Sequence, residues 1–147
     1  MSIQGILRGI AVRTASRAPM QEQQQAEVTV ARGLVDDYRG GGLRQVTFLD
    51  SAQWQEAVCE LGITLPWQTR RANLLLEGID LAEAVGQQIQ IGECLFTIYG
   101  ETEPCQRMDE LQPGLRSKLC LDMRGGVWGK VVHGGLLQVG QRVQVLP

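Results

Sequence analysis

Three groups of residues in this chain have the side-chain types that chemistry needs. The first is Cys105, approached through Gly100-Glu101-Thr102-Glu103-Pro104 and followed by Gln106-Arg107-Met108-Asp109. A thiolate can attack, carry sulfur or ligate a soft metal. The second is Arg70-Arg71-Ala72-Asn73, at the entrance to the apolar run Leu74-Leu75-Leu76. Guanidinium forks beside an amide suit an anionic ligand that also forms hydrogen bonds. The third is Gly40-Gly41-Gly42, bracketed by Arg39 and Arg44. Consecutive glycines let a backbone approach a ligand closely, and the two arginines make that loop a candidate anion site.

Each group also has a plain reading. Cys105 fits a semi-buried thiol in a tight turn. The Arg70–Asn73 segment fits surface ion pairing, which is common and weak. The glycines fit a flexible loop. No Lys-Ser/Thr follows them, so they do not form a P-loop. The acidic neighbours Glu101, Glu103 and Asp109 repel further negative charge at Cys105. From the local residues alone, the semi-buried thiol is the simpler reading of Cys105.

The totals narrow the classes. A chain of 147 residues with 44% hydrophobic and 20% charged content folds as one domain, 1–147, with a substantial core. A net charge of −2 gives no case for nucleic acid or an anionic membrane. Of the 14 basic residues only Lys118 and Lys130 are lysines, which favours oxyanion capture over point-charge contacts. The four cysteines are widely spaced and there is one histidine, so a structural zinc site is not expected. No signal peptide or membrane-spanning run is apparent, and the thiols read as reduced in a cytoplasmic protein. Oligomeric state is left open.

The elements that must position these groups are mostly strands. Residues 3–13 read as a first strand, 14–25 as a loop, 27–32 and 45–49 as strands. Asp50-Ser51 caps a helix that ends near Leu61-Gly62. Leu74 to Leu76 reads as a short buried strand, with Arg71 and Asn73 on one face and Arg70 on the other. Gln87 to Ile91 and Cys94 to Tyr99 flank Gly92-Glu93 as a hairpin. Pro104 reads as the first helical position, which puts Cys105 at a strand-to-helix turn. A second short helix and glycine-separated strands complete the chain, with His133 in a turn. The class is mainly β with a few short helices, in a barrel-like domain.

The motifs together resemble the MOSC domain, found at the C-terminus of molybdenum-cofactor sulfurases and in small stand-alone bacterial proteins. The matching pieces are Gly33-Leu34-Val35 with Asp37-Tyr38, Arg44 to Leu49, and Arg70 to Leu74 with Glu77 to Leu81. They continue with Gly86 and Ile91-Gly92, Gly100 to Cys105 with Arg107-Met108, Arg124 to Val127, and Gly134-Gly135 with Val139-Gly140. Asp36 stands where the family usually has glycine.

The resemblance implies a MOSC-type β-barrel and a cysteine, here Cys105, that ligates molybdenum or carries sulfur. It implies that Arg71 and Asn73, with Arg70, face the phosphate of a molybdenum cofactor (molybdopterin). Arg39, Arg44 and Arg107 are further cofactor-binding candidates. Two activities follow from it. One is reduction of N-hydroxylated compounds with an electron-donor protein. The other is persulfide transfer from a cysteine desulfurase for metal–sulfur cluster or cofactor assembly. A non-catalytic barrel that binds a small molecule or a partner is the third reading. Pyridoxal phosphate is not expected, because neither Lys118 nor Lys130 occupies a convincing Schiff-base site.

Overall fold

The computed structural model describes residues 3–38 and 43–147. Arg39 and the three glycines after it lie outside the described residues.

Seven strands close a barrel. They are β1 (Ile3–Val12), β5 (Val46–Asp50), β6 (Leu74–Glu77), β7 (Gln88–Ile91), β8 (Cys94–Glu101), β9 (Val127–His133) and β11 (Arg142–Leu146). Their order is β11-β7-β8-β9-β5-β6-β1, and β1 pairs back onto β11 through Ile3↔Val145 to Ile6↔Arg142. Only β5 and β6 run parallel, because helix α1 (Ser51–Glu60) carries the chain between them. Asp50 caps α1 by accepting from the Ala52 and Gln53 amides, and its other oxygen accepts from Ile79 N. Burial raises the Asp50 carboxyl above its ordinary range, while those amide bonds pull it back.

A smaller sheet of β3 (Gln25–Thr29), β4 (Gly33–Leu34) and β10 (Gly135–Gln138) packs alongside. The segment 14–25, expected to be loop, contains β2 (Gln21–Gln23), which pairs antiparallel with β1 through Ile10↔Gln23, and Gln25 already belongs to β3. A polar glutamine-rich run hides that strand, because its outer face is solvated. His133, expected in a turn, ends β9, where its Nδ1 lies 3.0 Å from the Glu93 carbonyl.

Side chains on β5 and β6 alternate between two cores. Phe48, Leu74 and Leu76 fill the barrel with Leu7, Ile10 and Phe96. Leu49 and Leu75 face outward onto α1, where Trp54, Ala57 and Val58 meet them. Beyond the one-turn helix α2 (Leu81–Ala84), Met108 of α3 (Gln106–Leu111) and Leu115 and Leu119 of α4 (Leu115–Leu119) complete that second core. The helix that follows Cys105 is thus anchored to the barrel wall through Met108.

Two glycines make this closeness possible. A Cβ at Gly9 would meet the Trp67 ring at 2.7 Å. Gly126 adopts φ +95°, and a Cβ there would run into the Phe48 carbonyl, the point at which β9 enters the barrel beside β5. Among the described residues no helix is long and apolar enough to cross a membrane.

Candidate functional site

At one end of the barrel a pocket of about 270 Å³ opens. Its wall is drawn from four places. The loop leaving β1 supplies Arg13, Ser16, Arg17 and Met20. The approach to β5 supplies Arg44 and Thr47, and the approach to β6 supplies Arg70, Arg71, Ala72 and Asn73. The turn after β8 and helix α3 supply Thr102, Cys105, Arg107 and Met108. Six arginines line it against one carboxylate, Asp37. This imbalance dominates its electrostatics and suits an anion with several oxygens.

Cys105 is exposed. It is the N-cap of α3 rather than a residue inside it, and Pro104 stands just before the helix, not at its first position. The Cys105 side chain makes no capping hydrogen bond, so its sulfur is left available at the wall. The turn is braced from below. Thr102 N donates to the Gly126 carbonyl, and Arg116 Nε reaches the Pro104 carbonyl at 3.2 Å. The Thr102 hydroxyl is enclosed at this wall with no hydrogen-bond partner.

Arg70, Arg71 and Asn73 lie close together, but not on a strand. Arg70 ends a 3-10 turn, Trp67–Arg70, and Arg71 has left-handed angles with φ 66°. β6 begins only at Leu74, so the expected alternation of faces does not apply. Arg70 is buried, and its Nε donates to the Gly125 carbonyl at 2.8 Å and its Nη2 to the Thr102 carbonyl at 2.7 Å. Burial pushes its pKa down to about 10, helped by Arg44 and opposed by Cys105 and Glu101. It therefore stays charged near neutral pH, held by neutral dipoles. Arg71 Nη2 donates to the Ala18 carbonyl at 2.6 Å and fastens the β1–β2 loop over the pocket.

Asn73 is a strut. Its Oδ1 accepts from Thr47 N and Thr47 Oγ1, both at 3.1 Å, and its Nδ2 donates to the Ala11 carbonyl at 3.2 Å. These bonds tie β1, β5 and β6 together beneath the pocket. Arg44 and Arg107 stand at the wall as expected of pocket residues. Arg39 falls outside the described residues.

Sequence reasoning missed Arg13, Ser16, Arg17 and Met20, because a polar loop carries no sign of where it folds back. It also missed Asp37, a buried carboxylate that accepts from Arg13 N at 3.1 Å. The other thiols stand apart from the pocket lining. Cys94 is buried in the barrel, which pushes its thiol up to about 11. Cys59 and Cys120 are exposed at α1 and the end of α4. No group of three or more His, Cys, Asp or Glu side chains able to hold a metal occurs among the described residues.

Comparison with known proteins gives the fold a name. The YuaD protein from Bacillus subtilis has a solved structure that matches with a TM-score of 0.86 at 18% identity, covering 99% of this chain and 97% of that one. YiiM from Escherichia coli matches with a TM-score of 0.75 at 13% identity, over 97% of this chain and 70% of that one. YiiM from Geobacillus stearothermophilus gives 0.73 at 15% identity, over 97% and 73%. At these identities the likeness shows the fold. A search of curated proteins found no significant match. The model of the MOSC domain matches residues 36–144, a span that holds β5 through β9, Cys105 and most of the pocket wall, and the chain belongs to the MOSC domain family.

Proposed function

We propose that the pocket binds a molybdenum–pterin cofactor, with Cys105 as the protein ligand to the metal and the wall arginines holding the phosphate. The MOSC family is associated with that cofactor. One observation carries the reading: a single exposed thiol stands on the wall of a pocket lined by six arginines and one carboxylate. The donor set fits the group. Molybdenum held by a dithiolene takes a soft sulfur ligand readily, and metal binding itself deprotonates a thiol. A phosphate takes planar guanidinium donors in pairs.

The chain's own residues divide the work. Arg44, Arg71 and Arg107 offer donors from three sides. Arg70 supports the Cys105 turn and adds fixed positive charge. Asn73 keeps the floor rigid, which is what a pre-formed site needs. When bound, the cofactor supplies redox chemistry suited to reducing N-hydroxylated compounds, with electrons from a donor protein. The second reading rests on Cys105 being a free, exposed thiol that makes no capping hydrogen bond. A desulfurase persulfide would hand its outer sulfur to the Cys105 thiolate, leaving a Cys105 persulfide and a desulfurase thiolate.

Purification from a host that makes the cofactor, followed by molybdenum and pterin determination, separates the two. Near-stoichiometric metal in wild type, lost in Cys105→Ala, is the expected result. Absence of metal from wild type overturns it. Addition of one sulfur by intact mass after incubation with a desulfurase and cysteine, abolished in Cys105→Ala, would then favour the carrier. Neither result would leave a non-catalytic binding barrel.

A further inference from the structure

Among the described residues Asp37 is the one carboxylate in the pocket wall, and it is buried, with 4% of its surface exposed. Three hydrogen bonds fix its place. Arg13 N donates to Asp37 Oδ1 at 3.1 Å, Asp37 N donates to the Leu34 carbonyl at 3.1 Å, and Tyr38 N donates to the Arg13 carbonyl at 2.8 Å. None of the ion pairs among the described residues involves it. An ionised carboxylate offers about four acceptor sites on its two oxygens. Asp50, the other buried carboxylate among those residues, fills both oxygens with the N–H groups of Ala52, Gln53 and Ile79. Asp37 fills one, and brings its spare acceptor capacity to the cavity. A buried acceptor is costly unless something donates to it. Asp37 is bound just past the end of β1, whereas Cys105 follows β8 on a turn tied to Gly126, before β9. The strand order β9-β5-β6-β1 puts three strand spacings between them, about 14 Å around the wall.

We propose that Asp37 is the residue that recognises the pterin, its carboxylate accepting the paired N–H groups of the aminopyrimidinone edge at the β1 side of the cavity, away from Cys105. The inference rests on the reading of the pocket as a molybdenum–pterin site given above. A pterin carries its 2-amino group and its N3–H side by side, on the edge remote from the dithiolene. Two parallel donors of this kind match a carboxylate as a guanidinium does. The six arginines cannot take that edge, because a guanidinium has five donors and no acceptor. They hold the anionic part of the ligand, and Asp37 fixes which way round the ring lies. A ring with a carbonyl in place of the 2-amino group sets an oxygen against the carboxylate and leaves it unpaired. Asp37 is thereby a specificity-determining residue.

The test uses protein purified from a host blocked in cofactor synthesis, titrated slightly below neutral pH with two fluorescent rings, pterin-6-carboxylate and lumazine-6-carboxylate. Both carry the same anionic group, and they differ in the 2-amino group that lumazine replaces by a carbonyl, so the arginine contribution cancels in their ratio. Wild type prefers the pterin by about tenfold or more, which needs no variant to measure. Asp37→Asn keeps an oxygen for Arg13 N and presents an amide N–H₂ to the ring, and the preference collapses to about one. Its affinity for inorganic phosphate holds or rises, because one negative charge has left the cavity. Equal wild-type affinity for the two rings, binding of neither, or an unchanged ratio in Asp37→Asn overturns the inference. Loss of phosphate binding together with the ring preference makes Asp37 a structural residue and overturns it as well. The molybdenum content of wild type from a competent host is read separately. Metal present with no ring preference removes only the role of Asp37. Metal absent with a preference that Asp37→Asn abolishes removes the metal reading and leaves Asp37 as the reader of the ring.

Discussion

Arg124 belongs to the turn before β9, and Arg70 donates to the carbonyl of the next residue in that turn, Gly125. Both guanidinium groups are buried, and their partners differ in kind. Arg124 donates to Glu56 at 2.9 Å and Glu60 at 2.8 Å, and Lys118 adds a second cation to Glu60 at 3.5 Å. Glu60 is held below the ordinary carboxylate range, first by its hydrogen bond from Arg124. That corner is charge-balanced and clamps α1 to the turn before β9. Arg70 instead donates to two carbonyls, Gly125 and Thr102, with Met108 Sδ 3.8 Å away. Carbonyls satisfy its donors without cancelling its charge. The first arginine spends its charge on neighbours within the fold, and the second keeps it as part of the field in the pocket. A balanced arginine and an unbalanced one, meeting the same turn, mark the boundary between scaffold and pocket.

Replacing the two arginines tests this difference. The largest effect is expected from Arg70→Met, which leaves the Gly125 and Thr102 carbonyls without donors at a buried position. About 2–5 kcal/mol of stability is expected to go, read from the midpoint of a denaturant titration. Anion binding is expected to go with it. Arg70→Lys keeps the charge and loses the fork, so it restores only part of either. An Arg70→Met variant as stable as wild type would break the comparison at its stronger end.

Asn73→Ala comes next. It removes three side-chain hydrogen bonds to Thr47 and Ala11, at about 2–3 kcal/mol, in cofactor-free protein where no ligand contributes. A loss seen only in the ligand-loaded protein would make Asn73 a ligand contact instead of a strut.

Arg124→Met is the mildest, because the released Glu56 and Glu60 side chains turn into water. Its signature is in pH. Glu60 titrates lower in the folded protein than in the unfolded chain, so its contribution is present above the ordinary carboxylate range and is lost as pH falls through it. Arg124→Met flattens the acid limb of a stability–pH curve and leaves the neutral anion affinity close to wild type. An acid limb of unchanged slope would show that the pair contributes nothing.

How much of this could be read before the fold was known follows the same division. Strands with apolar alternation, the Asp50 cap and the Gly92-Glu93 hairpin declare themselves locally, since period and turn chemistry are short-range properties. Cys105, Arg44, Arg70 and Arg71 stood out by residue type, Arg107 came with the family resemblance, and the fold brings them to one pocket. What the sequence could not carry was direction. Arg70, Arg71 and Asn73 look alike as a polar cluster, yet one is a carbonyl-bound cation, one fastens a loop and one ties three strands. Those roles depend on partners at residues 11, 18, 47, 102 and 125, which only the closed barrel brings near. Arg13 and Arg17 were silent for the same reason. The loop that holds them is placed by the Arg71–Ala18 and Arg17–Glu110 contacts, 53 and 93 residues apart in sequence.

The Cys105 sulfur is proposed to meet the metal of a bound molybdenum cofactor. X-ray absorption at the molybdenum edge, on wild type and Cys105→Ser purified from a host that makes the cofactor, addresses it most directly. The expected spectrum shows a sulfur shell around molybdenum in wild type and one sulfur fewer in the variant, or loss of the metal altogether. The same sulfur shell in both proteins, or a wild type without molybdenum, would contradict the account.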